Sequence, residues 1–123
     1  MSPGTTPEAG SDGWWLLRDG EVLAAAEVAK SIGQRTKGLL GQNGYEGAMV
    51  LPRTSSVHSF GMRFAIDVAF LNRKLVVVDV TELRPWRIAL PRVRARSVLE
   101  AQAGAFARWG LKVGDELELR HGE

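Results

Sequence analysis

VHSFGMRFAIDVAFLN, residues 57–72, places His58, Phe60, Met62, Phe64, Ile66, Val68 and Phe70 on one parity, which is the two-residue period of a β-strand. The other parity carries Ser59, Gly61, Arg63 and Asp67 among small residues, so polar chemistry and core packing alternate within one stretch. Phe64–Leu71 reads as a core strand. Gly61 marks His58–Arg63 as the part where the backbone need not keep that parity.

On the C-terminal side, Ile66–Leu71 and Leu75–Leu83 are β-branched runs separated by Asn72, Arg73 and Lys74, which is hairpin spacing with polar turn chemistry. Val76, Val78 and Val80 are expected on one face of the second run, with Asp79 and Thr81 on the other. Val98–Ala101 and Glu116–Arg120 are expected as later strands. Between them a short helix through Ala105, Phe106 and Trp109 is bracketed by Gly104 and Gly110, and Gly114–Asp115 turns into the last strand.

On the N-terminal side, Trp14–Leu17 and Glu21–Ala29 suit an antiparallel pair around an Asp19-Gly20 turn. Ser31 is placed to cap a short helix through Leu40, stopped at Gly41, and Ala48–Leu51 forms a strand ended by Pro52. Residues 1–12, with Pro3, Gly4, Pro7 and Gly10, have nothing to bury and are expected to be a disordered tail. Residues 13–121 then form a single domain. Many short strands with short connections predict a mainly β fold, a compact β-sandwich or partly closed barrel with one or two short helices.

A chain of 123 residues is large enough for a core without staples. The absence of cysteine removes disulfides, thiolate zinc sites and cysteine nucleophiles together. No basic start and apolar run reads as a secretory signal, and LVVVDV from Leu75 is too short to span a bilayer, so a soluble, cytoplasmic protein is expected. The net charge of +2 and pI near 9.4 say little about partners.

Three blocks, RTKGLLG from Arg35, VHSFGMRFAIDVAFLN from Val57 and VLEAQAGAFARWGLKVGDELEL from Val98, together resemble the family called domain of unknown function 192 from about Val22 to Leu119. The resemblance implies a compact β-sandwich with one or two short helices and no established activity. The chain departs from the family at Leu40, where methionine is common, and in the 72–74 turn, where glycine is frequent. The first swap nearly conserves volume, and the second leaves Asn72 to take any positive φ.

Candidate chemistry centres on His58, because imidazole is the side chain whose unperturbed pKa lies nearest neutrality and it lies here beside Ser56 and Ser59. It suits proton transfer or ligand binding, or else a loop-closing hydrogen bond to a backbone carbonyl. Arg63 and Asp67 are about 13 Å apart on an extended strand, so each is expected to have its own partner. For Asp67 those are loop amides, a ligand, or an arginine such as Arg35. Glu100, in an apolar segment, must be exposed, paired or functional. His58, Ser59, Arg63, Asp67, Glu100 and Arg35 are therefore the candidate ligand-binding residues.

Arg84, Arg87, Arg92, Arg94 and Arg96, with Trp86, lie in a segment without acids and are candidate anion-binding residues. The alternative is an edge loop whose arginines pair with scattered acids. No serine elbow, phosphate loop or spaced acidic loop is present, so no catalytic residue, metal or cofactor is assigned. The leading reading is a non-enzymatic binding or accessory module for a small molecule or protein. Rival readings are an acid/base enzyme, hydrolase-like, using His58 with Asp67 or Glu100, and nucleic-acid or anionic-ligand binding through the 84–96 segment.

Overall fold

The computed structural model describes residues 13–29 and 47–122. The expected tail at residues 1–12, the Ser31–Leu40 helix, the Leu40 substitution and Arg35 lie outside the described residues. The fold is mostly β with one short helix among those residues. In chain order the strands are β1 (Trp14–Arg18), β2 (Glu21–Val28), β3 (Ala48–Pro52), β4 (Val57–His58), β5 (Ile66–Leu71), β6 (Val77–Leu83), β7 (Ile88–Ala89), β8 (Ser97–Gln102) and β9 (Leu117–His121). The helix, α1, spans Ala105–Trp109.

Seven strands form one mixed sheet in the order β6-β5-β8-β3-β2-β1-β9, and β4 pairs with β7 in a separate two-stranded ribbon. The β2–β3 pairing is parallel, and the others in the sheet are antiparallel. Asp19 and Gly20 both have positive φ, 53° and 81°, as the two-residue turn that matches the twist of paired strands requires. The sheet curls until its edges touch at one end, where Val76 bridges Glu116 and the Val77 amide donates to the Asp115 carbonyl at 2.8 Å. It is not closed into a barrel.

The central strands explain the apolar runs of the sequence. β3, β5 and β8 are buried along nearly their whole length because both sheet faces are covered. One face packs Leu16, Val50, Leu71, Leu99 and Leu117 against Ala105 and Phe106 of α1. The other packs Met49, Ile66, Val68, Phe70 and Val98 beneath Val57 and Ala89 of the ribbon. Ile66, Val68 and Phe70 thus keep the parity read from the sequence, whereas His58 belongs to a separate two-residue strand. Gly61, at φ 85°, lies in the irregular stretch between them.

Two local expectations are corrected. The positive φ in the β5–β6 turn is at Leu75, 64°, not Asn72. The Asn72 side chain instead accepts from the Lys74 and Val76 amides at 2.8 and 3.0 Å, holding the turn by side-chain acceptance. The valines of β6 do not share one face: the register shifts opposite Phe70 and Leu71, so Val78 packs on the ribbon side and Val80 on the helix side. A bulge resets side-chain alternation in this way.

Candidate functional site

Ser59 organises the ribbon side. It is fully buried; its amide donates to the Arg87 carbonyl at 2.9 Å, and its carbonyl accepts from the Met62 and Trp86 amides at 3.2 and 3.0 Å. The hydroxyl donates to the Arg84 carbonyl and accepts from the Arg87 amide at 2.9 Å. A buried hydroxyl satisfied on both sides makes one residue a clamp between two loops. His58 and Ser59 are thereby held beside Arg84–Ile88.

The ribbon has an inner and an outer face. His58 pairs with Ile88 and Val57 with Ala89; Val57 and Ala89 are buried, while Ile88 points outward. The His58 ring stacks on Phe60 at 4.8 Å between centroids, and Phe60 stacks on Trp86 at 6.0 Å. His58 Nδ1 accepts the Phe60 amide at 3.2 Å, which orients the imidazole. Trp86 stands 63% exposed with φ at 64°, a conformation uncommon for a bulky residue, and its amide donates a hydrogen bond to the Ser59 carbonyl.

The arginines divide into two groups. Arg92 is half-buried: its guanidinium lies 4.5 Å from the Phe70 ring centroid, its Nε donates to Asp79 at 2.5 Å, and Nη1 donates to the Leu90 carbonyl. The Arg92 hydrogen bond, opposed by burial and aided by the Val80 amide, holds the Asp79 carboxyl below its ordinary value. Arg84, Arg87, Arg94 and Arg96 are exposed. Arg96 reaches back to the Val93 and Ala95 carbonyls at 3.3 and 3.1 Å, and Arg87 to that of Trp86 at 3.4 Å.

Asp67 is on the opposite sheet face. Its Oδ2 accepts the Gly104 and Phe106 amides, both at 3.0 Å, and so caps α1 from a neighbouring strand. Arg18 serves the other end of the helix, donating to the Trp109 and Gly110 carbonyls and pairing with Asp115 at 3.0 Å. Burial raises the Asp115 pKa, but the Lys112 amide and Arg18 outweigh it and leave the carboxyl below its ordinary value. An open groove beside Asp67 is lined by Val80, Thr81, Glu82, Gly104, Phe106 and Ala107.

The candidate residues are thus distributed over both sides. His58 and Ser59 join the Arg84–Arg87 loop; Asp67 faces α1; Arg63 is exposed. Glu100 is 1% exposed and alternates with Leu99 and Ala101, which places it on the ribbon-covered face with Val98. Sequence reasoning missed the β4–β7 ribbon and the role of Arg18, both of which depend on contacts remote in sequence. Among the described residues, no three carboxylates or imidazoles cluster to hold a metal, and no helix is long and apolar enough to cross a membrane.

Comparison with known proteins adds the ancestry. The family model DUF192, described as Uncharacterized ACR, matches residues 16–119. A UPF0127 protein of Pyrococcus horikoshii is 36% identical over 108 residues, covering 84% of this chain and 90% of the relative. Another, from Pyrococcus abyssi, is 37% identical over 97 residues, covering 75% and 83%. A Novosphingobium aromaticivorans structure, described as a protein of unknown function, has a TM-score of 0.66 at 23% identity and covers 85% of this chain and 82% of its own.

Proposed function

The chain belongs to the DUF192 family of uncharacterised proteins, and from that premise we propose that it is a non-enzymatic binding module whose working surface is the outer face of the β4–β7 ribbon. One observation carries this reading. The fold spends a buried, doubly bonded Ser59 and a left-handed Trp86 on holding a stack of His58, Phe60 and Trp86 at the surface, beside exposed arginines. A binding surface uses rigid aromatic area and arginine together.

The charge of this surface selects an anionic partner. Residues 84–96 contain five arginines and no acid, and among the described residues Arg92 pairs with the Asp79 carboxylate. The acid/base reading with Asp67 draws no support from the geometry. His58 lies in the ribbon over one sheet face, and Asp67 is engaged by helix amides on the other.

The test is a thermal-shift titration with phosphatidylserine vesicles, an oligothymidylate and an acidic peptide, on the natural chain and on Arg84→Glu/Arg87→Glu. At least one probe should raise the melting temperature of the natural chain in a concentration-dependent manner and leave the double variant unmoved. No shift with any probe, or equal shifts in both proteins, would refute the assignment.

A further inference from the structure

The geometry points to the surface of an anionic lipid bilayer as the partner of the ribbon face, an inference that rests on the binding reading above. Seven large apolar side chains stand exposed among the described residues, and five of them lie in two segments, Phe60 just after β4 and Trp86, Ile88, Leu90 and Val93 within residues 84–96. Scattered singly, such residues need no explanation; five within two segments that Ser59 ties together do.

Their exposures separate the possible occupants. Ile88 is 57% exposed, Leu90 69% and Val93 93%, so these side chains protrude instead of lining a groove in which a peptide would seat its anchors. A nucleic acid could stack on Trp86 and meet the arginines, yet it offers the protruding aliphatic residues no apolar phase. A second copy would bring the same patch against itself, setting arginines opposite arginines. A bilayer with acidic headgroups satisfies both chemistries: Trp86 and the aliphatic side chains enter the interface while Arg84, Arg87, Arg94 and Arg96 meet the headgroups.

Ser59 gives the surface its rigidity. By tying the backbone of Arg84, Trp86 and Arg87 to the 57–62 loop through hydrogen bonds of its hydroxyl, amide and carbonyl, it presents the apolar and cationic groups without ordering them at the moment of contact.

The experiment is co-sedimentation of the full chain with phosphatidylcholine vesicles, with and without phosphatidylserine. Partitioning should require phosphatidylserine and weaken with added salt. Arg84→Ala/Arg87→Ala should lower the partition coefficient about 25-fold, roughly fivefold for each arginine. Ile88→Ser and Trp86→Asn should each lower it about tenfold or more; asparagine tolerates the left-handed backbone at position 86, which keeps the fold testable. Arg108→Ala, on the exposed side of α1, should change it less than about twofold if the effect is local to the ribbon, because charges elsewhere act through screened distances.

Equal partitioning onto neutral vesicles, or unchanged partitioning of the double arginine variant and of Ile88→Ser, would overturn the inference. So would Arg84- and Arg87-dependent binding of the oligothymidylate or acidic peptide without vesicle binding, an outcome that leaves the binding module itself standing. Binding to soluble glycerophosphoserine as tight as to the vesicle would also overturn it, since the acyl phase would then contribute nothing. Absence of binding to every anionic probe would remove both conclusions together.

Discussion

The two faces of the sheet are covered by pieces that use charge in opposite ways. On the helix side, Asp67 and Arg18 spend their charges on the two ends of α1, and the cover is satisfied internally. On the ribbon side, the neutral Ser59 and the Arg92–Asp79 pair tie the cover down, and four exposed arginines lie beside a projecting aromatic stack. The contrast teaches that similar burial beneath two covers can accompany different outer chemistry. The helix is held at both ends by charged side chains, whereas the ribbon leaves Trp86 and Ile88 exposed.

The largest expected effect tests whether the ribbon cover is part of the core. Phe70 is fully buried and carries Arg92 on its ring, so Phe70→Ala should destabilise the chain by about 3–5 kcal/mol in denaturant unfolding. A loss under about 1 kcal/mol would mean that the ribbon side collapses without penalty.

Smaller effects distinguish the two clamps. Ser59→Ala leaves the Arg87 amide and Arg84 carbonyl without their hydroxyl partner and should cost about 1–3 kcal/mol, with amide exchange accelerating in 84–89 but not in 104–110. Asp67→Ala should cost about 1–2 kcal/mol and show the reverse pattern, exchange accelerating in α1 while 84–89 stays protected. Identical exchange patterns for both variants would erase the comparison.

Acid sensitivity gives the subtlest contrast. The folded pKa values of Asp79 and Asp115 lie below the ordinary 3.8. A depressed carboxyl contributes stability that is present above the unfolded pKa and lost as pH falls through the folded one, so both losses occur below about pH 4. Asp115→Asn, on the less exposed of the two pairs, should flatten that acid limb more than Asp79→Asn, as followed by denaturation midpoints between neutral and acid pH. A steeper acid limb in either variant would reverse the sign of the argument.

How much was legible in the sequence follows from the range of each signal. The Asp19-Gly20 turn, the β5 parity and the glycines around α1 are local patterns, and the fold uses them. The bulge that reorients Val78 is set by register against Phe70 and Leu71, which local alternation does not encode. The acceptor role of Asp67 was one of the alternatives the strand suggested; which amides it binds depends on α1 arriving 37 residues later. The ribbon is least legible, because two two-residue strands have no period, and it takes long-range pairing of His58 with Ile88 and of Ser59 with Arg84 and Arg87 to put the histidine beside the arginine loop.

That the outer face of this ribbon is the binding surface is the central claim, and backbone amide spectra of the labelled chain with phosphatidylserine-containing bicelles test it most directly. Residues 57–63 and 84–96 should shift or broaden together while 104–110 remain unperturbed. Perturbations centred on α1 and the Asp67 groove, with the ribbon silent, would contradict the account.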